Sequence, residues 1–343
     1  MNTTPRVPRV LEAQCEWTST DVADEELWTE RFDDAEQAEL EAALRHALAK
    51  SDDVLELGCD DFPLPTLHGR LLRIEDELIN GRGFVRLRGV DRRAYTQAEM
   101  EIIYWGIGTH LGLPWAQNKY GHVLGDVTDQ HKGIDDPTAR GNELGGIPLP
   151  FHCDGSDLVG LMCLENGRRG GLSAVANSVR IHNRLVSERP DLAAALYDEL
   201  PNDFRGEQAA GGKPYYLVPV FTEWDDRLFV RCIPPYILAS QRHPETPRLT
   251  DLQKEALAAV VEMADDPENH VLMELWPGDM QFINNYHVFH GRTAYEDDRT
   301  TGHIRHLKRL WLETTVLESR PPYFANNRTH WSEHRTASRL QVH

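Results

Sequence analysis

No stretch of this 343-residue chain approaches the uninterrupted apolar length that a membrane span needs. Cysteine is scarce. Cys15, Cys59, Cys153, Cys163 and Cys232 form no Cys-x-x-Cys pair and are odd in number, which argues for reduced, mostly buried thiols rather than a disulfide framework or a zinc cluster. Positive charge is also short: 36 Lys and Arg face 55 Asp and Glu, for a formal charge of −19. Such an excess repels nucleic acid and anionic membrane surfaces and favours solubility. No internal repeat, low-complexity linker, Gly-x-Ser-x-Gly elbow or phosphate-cradling Gly-x-x-x-x-Gly-Lys is present. The opening Met1-Asn2-Thr3-Thr4-Pro5-Arg6 leads into polar sequence rather than an apolar signal core. A cytoplasmic location with a small-molecule substrate is therefore expected; oligomeric state is not legible.

The first third reads mainly helical. Phe32 to Lys50 is Ala/Leu/Glu-rich with Phe32, Leu40, Leu44 and Leu48 near one face, Leu67 to Asn80 ends at a Gly81-Arg82-Gly83 break, and Gln97 to Leu111 stops at Gly112. Phe84 to Arg88 between them reads as a strand. From Asn118 to Pro150 the chain is irregular and rich in Gly, Asp and Thr, a lid or a plain connection. After Phe151 short strand-like runs dominate: 159–164, 172–176, 215–220, 228–233, 271–275, 280–283 and 307–312. Helices interrupt them at 191–200 and 252–264, the second opened by the capping box Thr250-x-x-Gln253. The expected fold class is β-rich α+β, a jelly roll with N-terminal and inserted helices. The predicted layout is one catalytic domain over 1–343: a mainly helical layer at 1–115, a lid or substrate loop at 116–150, the jelly-roll core at 151–315 and a C-terminal tail at 316–343.

Two strings carry the chemistry: Phe151-His152-Cys153-Asp154 and Asn285-Tyr286-His287-Val288-Phe289-His290-Gly291-Arg292. A His-x-Asp pair with a distant His is the ligand set of a 2-His-1-carboxylate facial triad, which suits non-haem Fe(II) and leaves positions open. A His-x-Asp/Glu pair alone is uninformative. With 16 His and 55 acidic residues in 343, chance supplies roughly 2.6 of them, and the chain has two. His243-Pro244-Glu245 lies between prolines and reads as an exposed connection. His152 and Asp154 sit in extended sequence, where i and i+2 share a face and Cys153 points away. His290 is preferred to His287 as third ligand because Gly291 beside it allows close approach. Arg305, Leu307, Arg309 and Trp311 share a strand face. Two arginines are costly to bury unless they meet carboxylates, and a dicarboxylate such as 2-oxoglutarate would supply them.

These motifs, with Gly170-Gly171-Leu172-Ser173, Pro277-Gly278-Asp279 and Asn284-Asn285, resemble the taurine dioxygenase-like Fe(II)/2-oxoglutarate-dependent dioxygenases from about Gly83 to Trp311. The resemblance implies a double-stranded β-helix core, with Fe(II), 2-oxoglutarate and O2 as cofactors. It implies His152, Asp154 and His290 as iron ligands and Arg305 as the clamp on the distal carboxylate. Arg309 would lie near the C1 carboxylate or the substrate, and Ser173 takes the place of a co-substrate-bonding Thr. Asp154, a carboxylate where halogenating relatives have a small residue, implies hydroxylation or a related desaturation, cyclisation or epoxidation. The loop from Gln117 to Ile147, with Asn118 and Asp157 nearby, is expected on the substrate side. Trp105, Trp115 and Tyr120 would wall that side or simply pack. A Zn2+ or Mn2+ hydrolase or isomerase, and a non-catalytic binding protein on the same scaffold, remain as other readings. The first has no need for Arg305 and Arg309, and the second would bind neither metal nor 2-oxoglutarate.

Overall fold

The computed structural model describes residues 8–324 except 13, 14, 119, 134, 135, 137 and 138. The opening hexapeptide and residues 325–343 of the expected tail lie outside the described residues.

Local sequence sets the helices. Asp33 caps Asp34–Lys50 and Thr96 caps Gln97–Leu111, each closing a capping box with the Glu three residues on. Leu67–Asn80 runs between them in sequence and buries Leu71, Ile74 and Leu78. Thr250 and Gln253 close the expected box at the head of Asp251–Asp265. The 191–200 helix is shorter than its pattern suggested, Pro190–Ala195, because the chain turns into the strand Glu199–Asp203. A helix absent from the sequence reading, Ser178–Glu188, precedes it. The Asn177 side chain accepts the Arg180 amide at its start.

Two sheets frame the centre. The larger orders Thr29–Arg31, Phe84–Arg88, Met280–Asn284, Leu158–Glu165, His306–Glu313 and Leu113–Trp115, and Leu124–Val127 also pairs with His306–Glu313. The smaller orders His270–Met273, Ser173–Asn177, Val288–Arg292 and Leu149–His152. The N-terminal layer is thus not purely helical: Thr29–Arg31, Phe84–Arg88 and Leu113–Trp115 extend the larger sheet. Residues 116–150 are likewise not all loop, since they supply Leu124–Val127 and the start of Leu149–His152. Pro114 and Pro150 escaped a strand reading because proline cannot donate to a ladder, yet both lie on strands at a sheet end, where one side needs no donor.

Side-chain alternation separates core from site. On Val288–Arg292, Phe289 enters an apolar cluster with Val179, Leu185 and Leu257 of the helices covering the smaller sheet, while His290 and Arg292 turn to the opposite face. A second cluster joins Leu71, Leu78, Ile103 and Ile107 to Met162, Phe282 and Leu310 of the larger sheet. Between the sheets is a cavity of about 390 Å3, reached by Val159, Leu161, Arg309 and Trp311 from one side and by His152, Ser173, His290 and Arg292 from the other. Among the described residues no helix is long and apolar enough to cross a membrane.

Candidate active site

Strand register brings the imidazoles together. His290 pairs with His152 across the Val288–Arg292 and Leu149–His152 strands, and the register shifts between His290 and Arg292. Gly291 makes this approach possible: a Cβ there would lie 2.9 Å from the Leu149 carbonyl oxygen. The ring centroids are 4.2 Å apart. His152 Nδ1–H donates to the Pro150 carbonyl at 2.8 Å, which leaves its Nε2 lone pair for the cavity.

Asp154 arrives differently from expectation. The strand ends at His152, so Asp154 is not its next-but-one strand neighbour; it lies in the following turn, pinned by its backbone. Its amide donates to Asn285 Oδ1 at 2.7 Å, and its carbonyl accepts from Asn285 Nδ2 at 2.6 Å and Arg231 Nη1 at 2.7 Å. Its carboxylate accepts from Trp311 Nε1 at 3.0 Å and Arg309 Nη1 at 3.1 Å. One donor atom from each of His152, Asp154 and His290 lies within 4.8 Å of the others, and all three residues are buried. His287 goes elsewhere: it sits before the strand and its Nε2–H donates to the Cys15 carbonyl at 2.6 Å. Cys153 points into the apolar cluster beneath the smaller sheet.

The electrostatics suit a cation. Burial lowers His152, and with help from His152 it pushes His290 down to about 3, so both imidazoles present lone pairs. Burial opposes ionisation of Asp154, but Arg309, His290, His152 and the Trp311 N–H outweigh it and hold the carboxyl below its usual range. Among the described residues His290 Nδ1 is buried without a hydrogen-bond partner. Two neutral imidazoles and one carboxylate form the donor set of a divalent iron site.

Beside this triad the cavity is cationic. Arg305 precedes its strand, His306–Glu313, rather than lying within it, and the register shifts between His306 and Leu307. Its side chain still lines the cavity with Arg309 and Trp311, whereas Leu307 packs into the core. Arg305 is 4% exposed; among the described residues Nη2 reaches only the Gly171 carbonyl, at 3.3 Å, and Nη1 has no partner. Burial, and next Arg292, push it down to about 10. Ser173 is buried in the same wall and donates to Gln281 Oε1 at 2.6 Å. Arg309 Nε donates to Gln117 Oε1 at 2.8 Å.

Of the residues expected on the substrate side, Gln117, Arg140, Asn142, Leu144 and Ile147 of the loop line this cavity, whereas Asn118 and Asp157 lie outside it. Asn118 shapes a turn, with Oδ1 accepting the Tyr120 and His122 amides at 3.0 and 3.3 Å. Asp157 lies behind the triad, accepting the Tyr286 hydroxyl at 2.8 Å and both Nε and Nη2 of Arg320. Trp105 and Trp115 pack in the core, and Tyr120 is exposed. His243 packs against Asp203 at 3.1 Å, and Glu245 is exposed. The residues that do line the cavity include Arg140, Glu207, Arg231 and Arg292. Arg292 was legible, two residues past His290 on the same strand face. Arg231 lies within the 228–233 run already read as a strand, one residue past the observed strand Arg227–Val230. Arg140 falls in the 117–147 loop already expected on the substrate side, whereas Glu207 stands on irregular chain and carries no sequence signal.

Two imidazoles and a carboxylate between two sheets, with unpaired guanidinium beside them, is the arrangement of a mononuclear non-haem metal enzyme. The family described as "Taurine catabolism dioxygenase TauD, TfdA family" matches residues 35–311. The chain belongs to this family, the taurine dioxygenase-like Fe(II)/2-oxoglutarate-dependent dioxygenases. Among its relatives, FR-33289 synthase of Streptomyces rubellomurinus is 33% identical over 303 residues, covering 86% of this chain and 88% of that one. Taurine hydroxylase-like protein SAT17 of Stachybotrys chartarum is 28% identical, covering 88% and 79%. In fold the chain is similar to asparagine oxygenase in complex with Fe(II), 2S,3S-3-hydroxyasparagine and succinate (TM-score 0.63, 21% identity, 83% and 93% covered). It is also similar to the non-haem iron oxygenase OrfP in complex with Fe and alpha-ketoglutaric acid (TM-score 0.60, 17% identity, 84% and 93% covered).

Proposed function

We propose that His152, Asp154 and His290 hold Fe(II), that Arg305 binds the far carboxylate of 2-oxoglutarate, and that the enzyme hydroxylates a small anionic metabolite. Desaturation, cyclisation and epoxidation use the same parts. The carrying observation is the convergence of three donor atoms within 4.8 Å beside a buried guanidinium with an unpartnered Nη1. The two facing sheets support a double-stranded β-helix core, with the N-terminal layer, the 116–150 segment and that core acting as one catalytic domain.

Bound there, iron and 2-oxoglutarate would supply the oxidising chemistry, consuming O2 and releasing succinate and CO2. The chain's own residues do the rest. Asn285 and Arg231 fix the Asp154 backbone, Arg309 and Trp311 keep its carboxylate ionised and oriented, and the Pro150 carbonyl fixes the His152 tautomer. Val159, Leu161 and Ile233 give the cavity apolar walls, which exclude water from the reacting groups. Ser173, in the wall beside Arg305, would help seat the co-substrate, and Arg309 faces both the triad and the substrate side.

The anionic character rests on charge. Six arginines, at 140, 205, 231, 292, 305 and 309, line the cavity against three carboxylates, Asp154, Asp203 and Glu207, in a chain of net charge −19. Cation excess within low-dielectric walls focuses a field that draws anions in. A panel of anionic small metabolites and their neutral analogues, scored by succinate release with Fe(II) and 2-oxoglutarate, tests this. Turnover is expected with an anion and lost in its neutral analogue. Turnover confined to neutral or cationic compounds would contradict it.

A further inference from the structure

Arg292 stands two residues beyond His290 on the same strand face and opposite Ser173 in the sheet register, so it enters the cavity at the end where Arg305 lies. It is 7% exposed. No carboxylate pairs with it among the described residues. Nη2 instead donates to two loop carbonyls, Ile147 at 2.9 Å and Leu144 at 3.2 Å, and Nε is buried without a partner among the described residues. The ring of Tyr295 carries both cations, with Arg292 4.7 Å and Arg305 5.3 Å from its centroid. The loop that Arg292 holds is itself cavity wall: Leu144, Ile147 and Pro148 all line it. That loop also meets Tyr295 directly, whose amide donates to the Gly146 carbonyl at 3.1 Å.

We propose that Arg292 is a positioning residue that couples co-substrate binding to the 141–148 wall of the active site. The inference rests on the reading of Arg305 as the clamp for the far carboxylate. Two guanidinium groups sharing one aromatic ring repel each other, and the nearby Asp297 carboxylate offsets this in part, without an ion pair to either among the described residues. A carboxylate arriving at Arg305 removes that repulsion and fills the unmet donor capacity at this end of the cavity. Arg292, already donating to the Leu144 and Ile147 carbonyls, is then held there more firmly, and the wall stiffens before primary substrate enters. Because the coupling is thermodynamic it runs both ways, so loosening the wall at Arg292 weakens 2-oxoglutarate.

Amide hydrogen exchange of the Fe(II) protein under anaerobic conditions, with and without 2-oxoglutarate, reads the coupling without turnover. In the natural sequence, 2-oxoglutarate is expected to slow exchange across residues 141–148. In Arg292→Gln that protection is lost and 2-oxoglutarate binds about tenfold more weakly, as for one lost charge-assisted contact, while affinity for Fe(II) alone is kept. Arg292→Lys, which keeps the charge but cannot span two carbonyls, loses the protection and retains more of the affinity. The measurement on the unaltered chain guards against a variant that fails to fold. If 2-oxoglutarate binds it and exchange at 141–148 does not change, the coupling is overturned. If 2-oxoglutarate does not bind it, the Arg305 reading falls, and this inference with it.

Discussion

His152 and His290 face each other as direct partners on neighbouring antiparallel strands, their ring centroids 4.2 Å apart, with the Asp154 carboxylate 3.8 Å from His290 Nε2. Burial makes neutral imidazoles the stable form there, and Arg309 keeps the carboxylate charged. Neighbouring side chains therefore tune the triad as metal ligands, and each of those neighbours can be tested.

Arg309 is the foremost of the groups that hold Asp154 ionised against burial. In Arg309→Met the carboxyl should rise toward its ordinary range, so that protons compete with metal at higher pH. Fe(II) affinity should fall and the acid limb of its pH profile should move upward. An acid limb identical to that of the unaltered protein would remove Arg309 from this role.

Gly171 has φ +74°, and a Cβ built there would stand 2.6 Å from Arg305 Nε and 2.9 Å from its Cδ. Gly171→Ala should displace the guanidinium, raising KM for 2-oxoglutarate by about tenfold, the scale of one charge-assisted contact. Fe(II) affinity should stay as it was. An unchanged KM would show that Arg305 does not meet the co-substrate in this position.

Asp157 and Arg320 form a buried ion pair, their side chains 1% and 7% exposed. Asp157→Ala strands the cation and should cost about 3–5 kcal/mol of stability in urea unfolding. Adding Arg320→Met should recover part of it. A substrate contact at Asp157 would instead raise the substrate KM and leave stability intact.

His287 is buried and pushed down to about 4 from 6.5, mainly by burial. Its folded form resists protonation while the unfolded chain accepts it. Its contribution is fully present above pH 6.5, is lost as pH falls toward 4, and is constant below that. The slope from this one group approaches about 1.4 kcal/mol per pH unit. His287→Gln should lose that slope in denaturation of the metal-free protein between pH 6.5 and 4; equal slopes would contradict the assignment.

The sequence exposed whatever depends on local chemistry or short-period alternation. A capping box marked the start of the helix at Asp251, whereas the boxes at Asp33 and Thr96 went unread. Short strand-like runs marked Leu158–Glu165, Met280–Asn284 and His306–Glu313. His152, Asp154 and His290 were legible because ligand chemistry restricts residue type. Hidden were the edge strands carrying Pro114 and Pro150, and the turn that brings Asp154 round by its backbone contact with Asn285. Hidden too was Glu207, which meets Arg140 of the expected loop across 67 residues of sequence. Long-range pairing of irregular segments leaves no periodic trace, and so Asn118 was chosen by proximity in the chain while Arg231 was passed over.

Anaerobic titration of the Fe(II) protein with 2-oxoglutarate, followed by visible absorption, tests the central claim most directly. The account predicts a saturable metal-to-ligand charge-transfer band that disappears in Asp154→Ala and weakens in Arg305→Gln. No band in the unaltered protein, or a band of full strength in Asp154→Ala, would contradict it.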